Sequence, residues 1–460
     1  MSRPVTFGAV TAALPTTAVS DAVAWVRGWQ QRSKIPGVAF VVTDATSTAV
    51  VELSGVTDVV TRRPAAAEHR WQIGSISKAF TAMALLQLQS AGRLSLDDPL
   101  VKHLPWATEV RPDVTLHHLL THTGGLPVGS EWSTDSRLET ALLGLLGNPQ
   151  PPGSGYHYSN SGYEALGDVV ETVTGEPLES YLERAVLHPL GMVSAAASVK
   201  PQDRSRDVRG HRPPRDDVIW RADTEQVPDQ WFPFCTADGA IVANAEDVAH
   251  YLRFLIRGQG DGVLTAEQFE QLSARHVQVD DDSWYGYGLR TRVGPMGTTV
   301  GHGGSMIGLY ADVAVDRELG IGTALMINGH GDVWEANHYL LDRLRAAITP
   351  ALVAIETQVT HTAVLDDPAG PPQWEAMVGL YRAYNPWWPT AEVVRDGDAL
   401  YLCDPVSGVR TLLTALEGTR FRVGPAHSPE VAAFDIPVEG AYQRLDVSGC
   451  GYARVRRRSR

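Results

Sequence analysis

Ser75 and Lys78 stand three residues apart at the head of an apolar run, Ala79 to Leu88, directly after Trp71-Gln72-Ile73-Gly74. Extended residues that pass through Gly74 into a helix apolar on nearly every side predict a buried helix with Ser75 in its first turn. Residues three apart share one helix face, so the Lys78 amine is expected within reach of the Ser75 hydroxyl. The partial positive charge of a helix N-terminus favours the anion that develops when a hydroxyl attacks a carbonyl. Together these make the S-x-x-K arrangement of a nucleophilic serine. The spacing alone is common, with about one or two chance matches in a chain of this length. Lysine scarcity sharpens it, because only Lys34, Lys78, Lys102 and Lys200 occur among 39 lysines and arginines. Arginine cannot shed its proton in a protein, whereas a desolvated lysine can act as a neutral base. The competing reading is a solvated lysine on an ordinary helix.

Other chemistry-bearing side chains are spread more thinly. Val114 to Leu126 reads as a helix stopped by the pair Gly124-Gly125, and it sets His118 and His122 one turn apart. Such a pair can hold zinc, but no glutamate lies between them and no third ligand follows, so both are expected to bond loop backbone and no metal is assigned. Pro151-Pro152-Gly153-Ser154-Gly155 is a stiff loop that delivers Tyr156-His157-Tyr158-Ser159-Asn160-Ser161-Gly162-Tyr163 ahead of a helix from Glu164 to Val173. Polar side chains on a loop before a buried helix can point into a cleft.

The elements that would position these groups follow from period and punctuation. Helices are expected over Asp21 to Ser33, Ala245 to Arg257 and Gly331 to Ala347. Strands are expected over Val38 to Thr43, Thr48 to Ser54, Tyr285 to Val293, Thr298 to Gly301, Leu309 to Val315 and Gly320 to Ile327. Tight turns join most of these strands, which predicts an antiparallel sheet flanked by helices with a helical insertion between early and late strands, an α/β (α+β) domain over residues 1–354. Residues 355–372 read as a linker, and 373–460 as a small all-β barrel with strands at Thr390 to Arg395, Ala399 to Cys403, Arg410 to Ala415, Arg420 to Val423 and Tyr442 to Val447. Near the barrel's start Tyr381, Tyr384, Trp387 and Trp388 gather in a Tyr-Asn-Pro-Trp-Trp-Pro context, expected to restrict access to Ser75.

A formal net charge of -14 argues against a nucleic-acid or anionic-membrane partner, despite the arginine-rich end of the chain. Cys235, Cys403 and Cys450 are too few and too scattered for a disulfide framework. The opening twenty residues lack the compact apolar block of a secretory signal, so a cytoplasmic location is expected.

Three elements then coincide in order: Ser75-Ile76-Ser77-Lys78, Tyr158-Ser159-Asn160, and His302-Gly303-Gly304 at the end of an expected strand. In this the chain resembles the penicillin-recognising serine hydrolase superfamily, on the side of class C β-lactamases, DD-peptidases, D-aminopeptidases and related esterases. The stretches Leu119 to Leu126, Trp284-Tyr285-Gly286-Tyr287-Gly288 and Ala237 to Ala249 are similar to family segments as well. The resemblance implies a β-lactamase/transpeptidase-like fold over about residues 20 to 347. Within it Ser75 would be the nucleophile, Lys78 and Tyr158 would share the proton transfers, and Asn160 would orient Lys78 and the substrate amide. The backbone N–H groups of Ser75 and Ser305 would form an oxyanion hole, with Gly303 and Gly304 lining the substrate strand. The proton acceptor, Lys78 or Tyr158, stays open.

Two departures steer the expected activity. His302 stands where β-lactamases usually carry lysine, which favours a peptidase acting on D-residues or small peptides, or an esterase, over a true β-lactamase. Asp238, in Ala237-Asp238-Gly239 where the family commonly reads Ala-Gly-Gly, could pair with a substrate amine. The C-terminal barrel resembles the lipocalin-like domain of some D-aminopeptidases and of penicillin-binding-protein-type thioesterases, so an acyltransferase or peptide cyclase is the alternative. No cofactor is implied, the partner is a small-molecule or peptide acyl substrate, and a homo-oligomer is left open.

Overall fold

The computed structural model describes residues 14–105, 107, 112–129, 151–231, 233–259, 262–349, 372–383, 385, 388–438 and 440–455. They fall into two compact units. The first lies within Met1–Asp98, Tyr163–Arg212 and Ala222–Glu356, and the second within Pro99–Gly162, Pro213–Arg221 and Thr357–Arg460.

The first unit is built on a nine-stranded antiparallel sheet. Its strands run side by side in the order Arg63–Pro64, Thr48–Asp58, Gly37–Asp44, Ile321–Ile327, Leu309–Asp316, Gly297–Met306, Arg290–Gly294, Ser283–Tyr285 and Val277–Asp280. Gly37–Asp44 is apolar at nearly every position because both its faces are covered. Val38, Phe40 and Val42 pack with Leu325 and Ile327 against helices Thr16–Arg32 and Val333–Ile348, through Ala22, Val26, Leu340 and Leu344. Each such side chain contributes about 1.5–3 kcal/mol by leaving water. Helix Ala245–Arg257 packs on the same strands and is fixed at its start by a capping box between Asn244 and Asp247. The expected helices and central strands are present to within a few residues at their ends.

Two elements of this unit differ from expectation for local reasons. The stretch expected as one strand over Tyr285 to Val293 is a hairpin, because Gly286 N donates to Leu289 O at 2.8 Å and Arg290 pairs back onto Tyr285. Conversely, the strand expected to stop at Gly301 continues through His302, Gly303, Gly304 and Ser305 to Met306, paired residue by residue with Leu309–Asp316. Glycine depresses strand propensity, but here its missing side chain is what permits the packing: a Cβ on Gly301 would lie 1.9 Å from Val313 O.

The second unit contains a closed barrel of eight antiparallel strands, each paired with its sequence neighbours and the last, Cys450–Arg454, returning to the first, Gly379–Arg382. Gly379–Arg382, Val431–Val438 and Cys450–Arg454 were beyond the five strands expected, their patterns being short or broken by Pro437 and Gly451. Tyr381 is wholly buried in the barrel core, its hydroxyl donating to Met377 O at 2.7 Å, so its ring is not available for docking. Trp388 is half-buried, while Tyr384 and Trp387 lie outside the described residues, as does nearly all of the expected linker. Among the described residues, no helix is long and apolar enough to cross a membrane.

The helix expected over Val114 to Leu126 is only Leu116–Leu120. Thr115 caps its start, and His118 Nδ1 takes the Thr115 N–H at 3.2 Å. His122 then adopts a left-handed conformation, φ 56°, which ends the helical path, so His118 and His122 do not share a face.

Candidate active site

The chain enters the Ser75 region through a short ladder that pairs Trp71 with Ala243 and Gln72 with Val242. Gly74–Ile76 is a single 3-10 turn, and the α-helix proper runs Ser77–Ser90. Residues 71–74 and 76–86 are buried, whereas Ser75 is partly exposed, so its hydroxyl is the point where this packed segment meets solvent.

Lys78 is fully buried. A buried ammonium is costly unless paired, and Lys78 is provided with partners. Its Nζ donates to Ser75 Oγ at 3.1 Å and to Asp238 O at 3.1 Å, and it lies 3.6 Å from Asp238 Oδ2. The Tyr163 ring stands 5.5 Å away. The segment carrying Asp238 is tied to the same helix: Thr81 Oγ1 donates to Ala237 O at 2.6 Å, and Ile241 N to Ser77 Oγ at 3.2 Å. Asp238, expected beside a substrate amine, therefore has Lys78 as its observed cationic neighbour.

The strand bearing His302 presses against the Ser75 turn. A Cβ on Gly304 would come within 1.9 Å of Ile73 O and 3.2 Å of Ser75 N, and one on Gly74, itself at φ 55°, within 2.6 Å of Ser305 N. Only glycine at both places lets the two backbones approach this closely. The result brings the amide neighbourhoods of Ser75 and Ser305 together. On the other face of the strand Gly303 is backed by Trp334, whose Nε1 would meet a Cβ there at 2.0 Å.

His302 is held between two partners. Its Nδ1 lies 2.5 Å from Gly303 O and its Nε2 3.0 Å from the Tyr285 hydroxyl. A carbonyl can only accept, so Nδ1 carries the hydrogen and Nε2 accepts from the tyrosine. Burial pushes the pKa of His302 down to about 3, with Lys78 and Arg290 acting in the same direction, so the ring is neutral. In the sequence Tyr285 stands out only as part of a family-like stretch; the sheet register, with Arg290 opposite both Tyr285 and Gly301, makes it the partner of His302.

Tyr158 and Asn160 belong to the second unit, at the start of helix Asn160–Thr174. The segment before that helix is held by His122. Its carbonyl accepts from His157 N at 2.7 Å, its Nδ1 accepts from Ser159 N at 3.0 Å, and its ring lies 4.3 Å from the Tyr158 ring. Ser159 Oγ donates to Pro127 O at 2.6 Å, and Val128 O accepts from Asn160 N at 2.5 Å and Ser161 N at 3.2 Å. Val128 O thus takes two of the open N–H groups of the helix start, and Ser159 Oγ takes a third, that of Gly162, at 3.0 Å.

Comparison with known proteins fits this architecture. The Beta-lactamase family model matches residues 22–347, and the chain belongs to that family. Among curated relatives, Protein flp of Staphylococcus aureus (strain MRSA252) is 26% identical over 236 residues, covering 49% of this chain and 46% of flp. Esterase EstB of Burkholderia gladioli is 35% identical over 161 residues, covering 30% of this chain and 41% of EstB. The matches thus span less than half the length of these relatives. Among solved structures, the octameric penicillin-binding protein homologue from Pyrococcus abyssi superposes with a TM-score of 0.63 at 24% identity, over 94% of this chain and 99% of that one. D-alanine carboxypeptidase AmpC from Burkholderia cenocepacia superposes with 0.61 at 19%, over 72% and 100%.

Proposed function

We propose that this protein is a serine hydrolase that works through an acyl-enzyme on Ser75, with amide or ester substrates of the small-peptide, D-residue or simple ester kind rather than β-lactams. The observation that carries the reading is the 3.1 Å contact between the buried Lys78 amine and the hydroxyl of the partly exposed Ser75. The likeness to Esterase EstB supports the ester side of it.

In the proposed sequence Ser75 Oγ forms a bond to the acyl carbon as its proton leaves. Lys78, facing the carbonyl and carboxylate of Asp238, and Tyr158 share the proton transfers: one of them, as the neutral amine or as the phenolate, takes the serine proton and returns it to the departing amine or alcohol. The backbone N–H groups of Ser75 and Ser305 receive the oxyanion, their approach permitted by the bare Cα of Gly304 against Ile73, and the backbone of Gly303 and Gly304 lines the substrate strand. Neutral His302, its ring nitrogens engaged by Gly303 O and the Tyr285 hydroxyl, brings no positive charge to the substrate strand. Asn160 orients the amide of the acyl donor. Water then attacks the ester at Ser75, releases the acid and restores the hydroxyl.

Intact-protein mass spectrometry after exposure to p-nitrophenyl esters, D- and L-amino acid amides and a penicillin, with and without added amines, tests this. A mass gain absent from Ser75→Ala, with free acid as product, is the expected result. Labelling that persists in Ser75→Ala would overturn it, and products joined to the amine would point to transfer instead of hydrolysis.

A further inference from the structure

No motif marks Glu430, yet it is the point at which the barrel takes hold of the segment carrying Tyr158 and Asn160. Glu430 immediately precedes strand Val431–Val438, and its N–H donates to Ser428 Oγ at 3.2 Å. Its Oε1 accepts the Val128 N–H at 2.6 Å and lies 3.2 Å from His157 Nε2. Next to it His427 fills the space over Gly155, where a Cβ would meet the ring at 3.2 Å. The bonds from His157, Ser448 and Val128 hold the Glu430 carboxyl below the usual glutamate range although burial opposes this.

These contacts converge on one small structure. Val128, whose N–H is held by Glu430, is the residue whose carbonyl receives the N–H groups of Asn160 and Ser161. His157, the other partner, is the residue next to Tyr158. One carboxylate oxygen therefore ties together the two strips of chain that bracket Tyr158-Ser159-Asn160. We infer that Glu430 is a positioning residue: through it the C-terminal barrel fixes the placement of Tyr158 and Asn160 for acylation of Ser75. This rests on the reading of Tyr158 as a participant in that reaction. Displacement of a reacting group by about 1 Å can cost about a hundredfold in rate, so one lost clamp is enough to matter.

The test uses the full chain with a p-nitrophenyl ester. Glu430→Ala should lower kcat on the order of ten- to a hundredfold with little change in KM. Glu430→Gln, which keeps an acceptor oxygen for Val128, should restore most of the loss. His157→Ala, which leaves the barrel's own packing intact, should lower kcat in the same sense and serves if Glu430→Ala does not fold. Hydrogen exchange should report faster exchange in peptides covering 122–129 and 153–162 of the alanine variants while the sheet strands stay protected. Unchanged exchange there means no clamp, and faster exchange with unchanged kcat means a clamp without catalytic consequence; either overturns the inference. A loss confined to KM, or one that Glu430→Gln does not restore, overturns it as well. Tyr158→Phe is measured alongside: full activity in that variant would defeat the role of Tyr158 itself, a failure recognisable apart from the exchange result.

Discussion

At Lys78 the chemistry depends on shape as much as on charge. A fully buried amine that reaches Ser75 Oγ and Asp238 O, both at 3.1 Å, is a compact point donor, and a planar guanidinium does not fit that set. Lys78→Arg should therefore be nearly as damaging as Lys78→Ala, each lowering kcat for a small ester on the order of a hundredfold or more. Retention of most activity by the arginine variant would reduce Lys78 to electrostatic support. His302 supports a second prediction with a definite sign. Its pKa of about 3 in the fold, against 6.5 when unperturbed, means that it loses no proton across the neutral range. A rise in esterase rate with pH near neutrality then belongs to other groups, and His302→Gln should lower the rate without moving the apparent pKa of that limb. Because the unfolded chain binds the proton that the folded ring refuses, His302 costs the fold up to about 1.4 kcal/mol per pH unit as pH falls from 6.5 towards 3. His302→Gln should accordingly lose less thermal stability than the parent between pH 7 and pH 5. A neutral ring also gives a β-lactam carboxylate no cation to meet, so nitrocefin should be turned over slowly at best; rapid turnover would contradict the proposed substrate class.

At the scale of elements, the decisive contact is between the strand Gly297–Met306 and the turn Gly74–Ile76. Gly304→Ala would put a methyl 1.9 Å from Ile73 O, a backbone atom that cannot swing aside. The variant should lose about 1–3 kcal/mol of stability, and its kcat should fall further than that of a surface control because the Ser305 amide is pushed from the Ser75 turn. Equal kcat with intact folding would remove this contact from the mechanism. Much of this geometry was legible in sequence: the apolar run after Ser75 set its helix, and alternation set Leu309–Asp316 and Ile321–Ile327. Glycine hid the rest. Thr298 to Gly301 had strand character, but the Gly303-Gly304 pair reads as a stop when in fact it is where two backbones meet. The left-handed turn at His122 was equally hidden, since histidine carries no local signal for positive φ and the turn is secured by Ser159 and His157, 35 or more residues away in the chain.

For the molecule as a whole, the question is whether the barrel is an accessory or part of the working enzyme. The catalytic candidates all lie at or before Ser305, and a gate made of aromatic side chains is the expectation for the barrel, but Tyr381 points into the barrel core. What the barrel does supply is polar attachment. Beyond Glu430, Val406 O accepts from Trp220 N at 2.9 Å and Arg382 pairs with Asp216, so the barrel also holds the 213–221 segment. Residues 99–162 and 213–221 group with the barrel and not with the sheet. Removing everything after Ala354 would leave Val128 N–H and the His157 ring without their acceptor, and so loosen the loop whose Val128 carbonyl holds the helix start at Asn160. A pure gate and a scaffold therefore make opposite forecasts for a small ester that needs no gating. If the barrel only screens substrates, the shortened chain acylates Ser75 at the full rate or faster and merely accepts longer donors. As a scaffold its loss should slow acylation by at least as much as Glu430→Ala, on the order of ten- to a hundredfold, for short and long donors alike. Size-exclusion chromatography establishes that the shortened protein is monodisperse, and stopped-flow release of p-nitrophenol then gives the acylation rate. An undiminished rate on the small ester from a monodisperse sample would assign the barrel to selection of substrate and end its role in holding Tyr158.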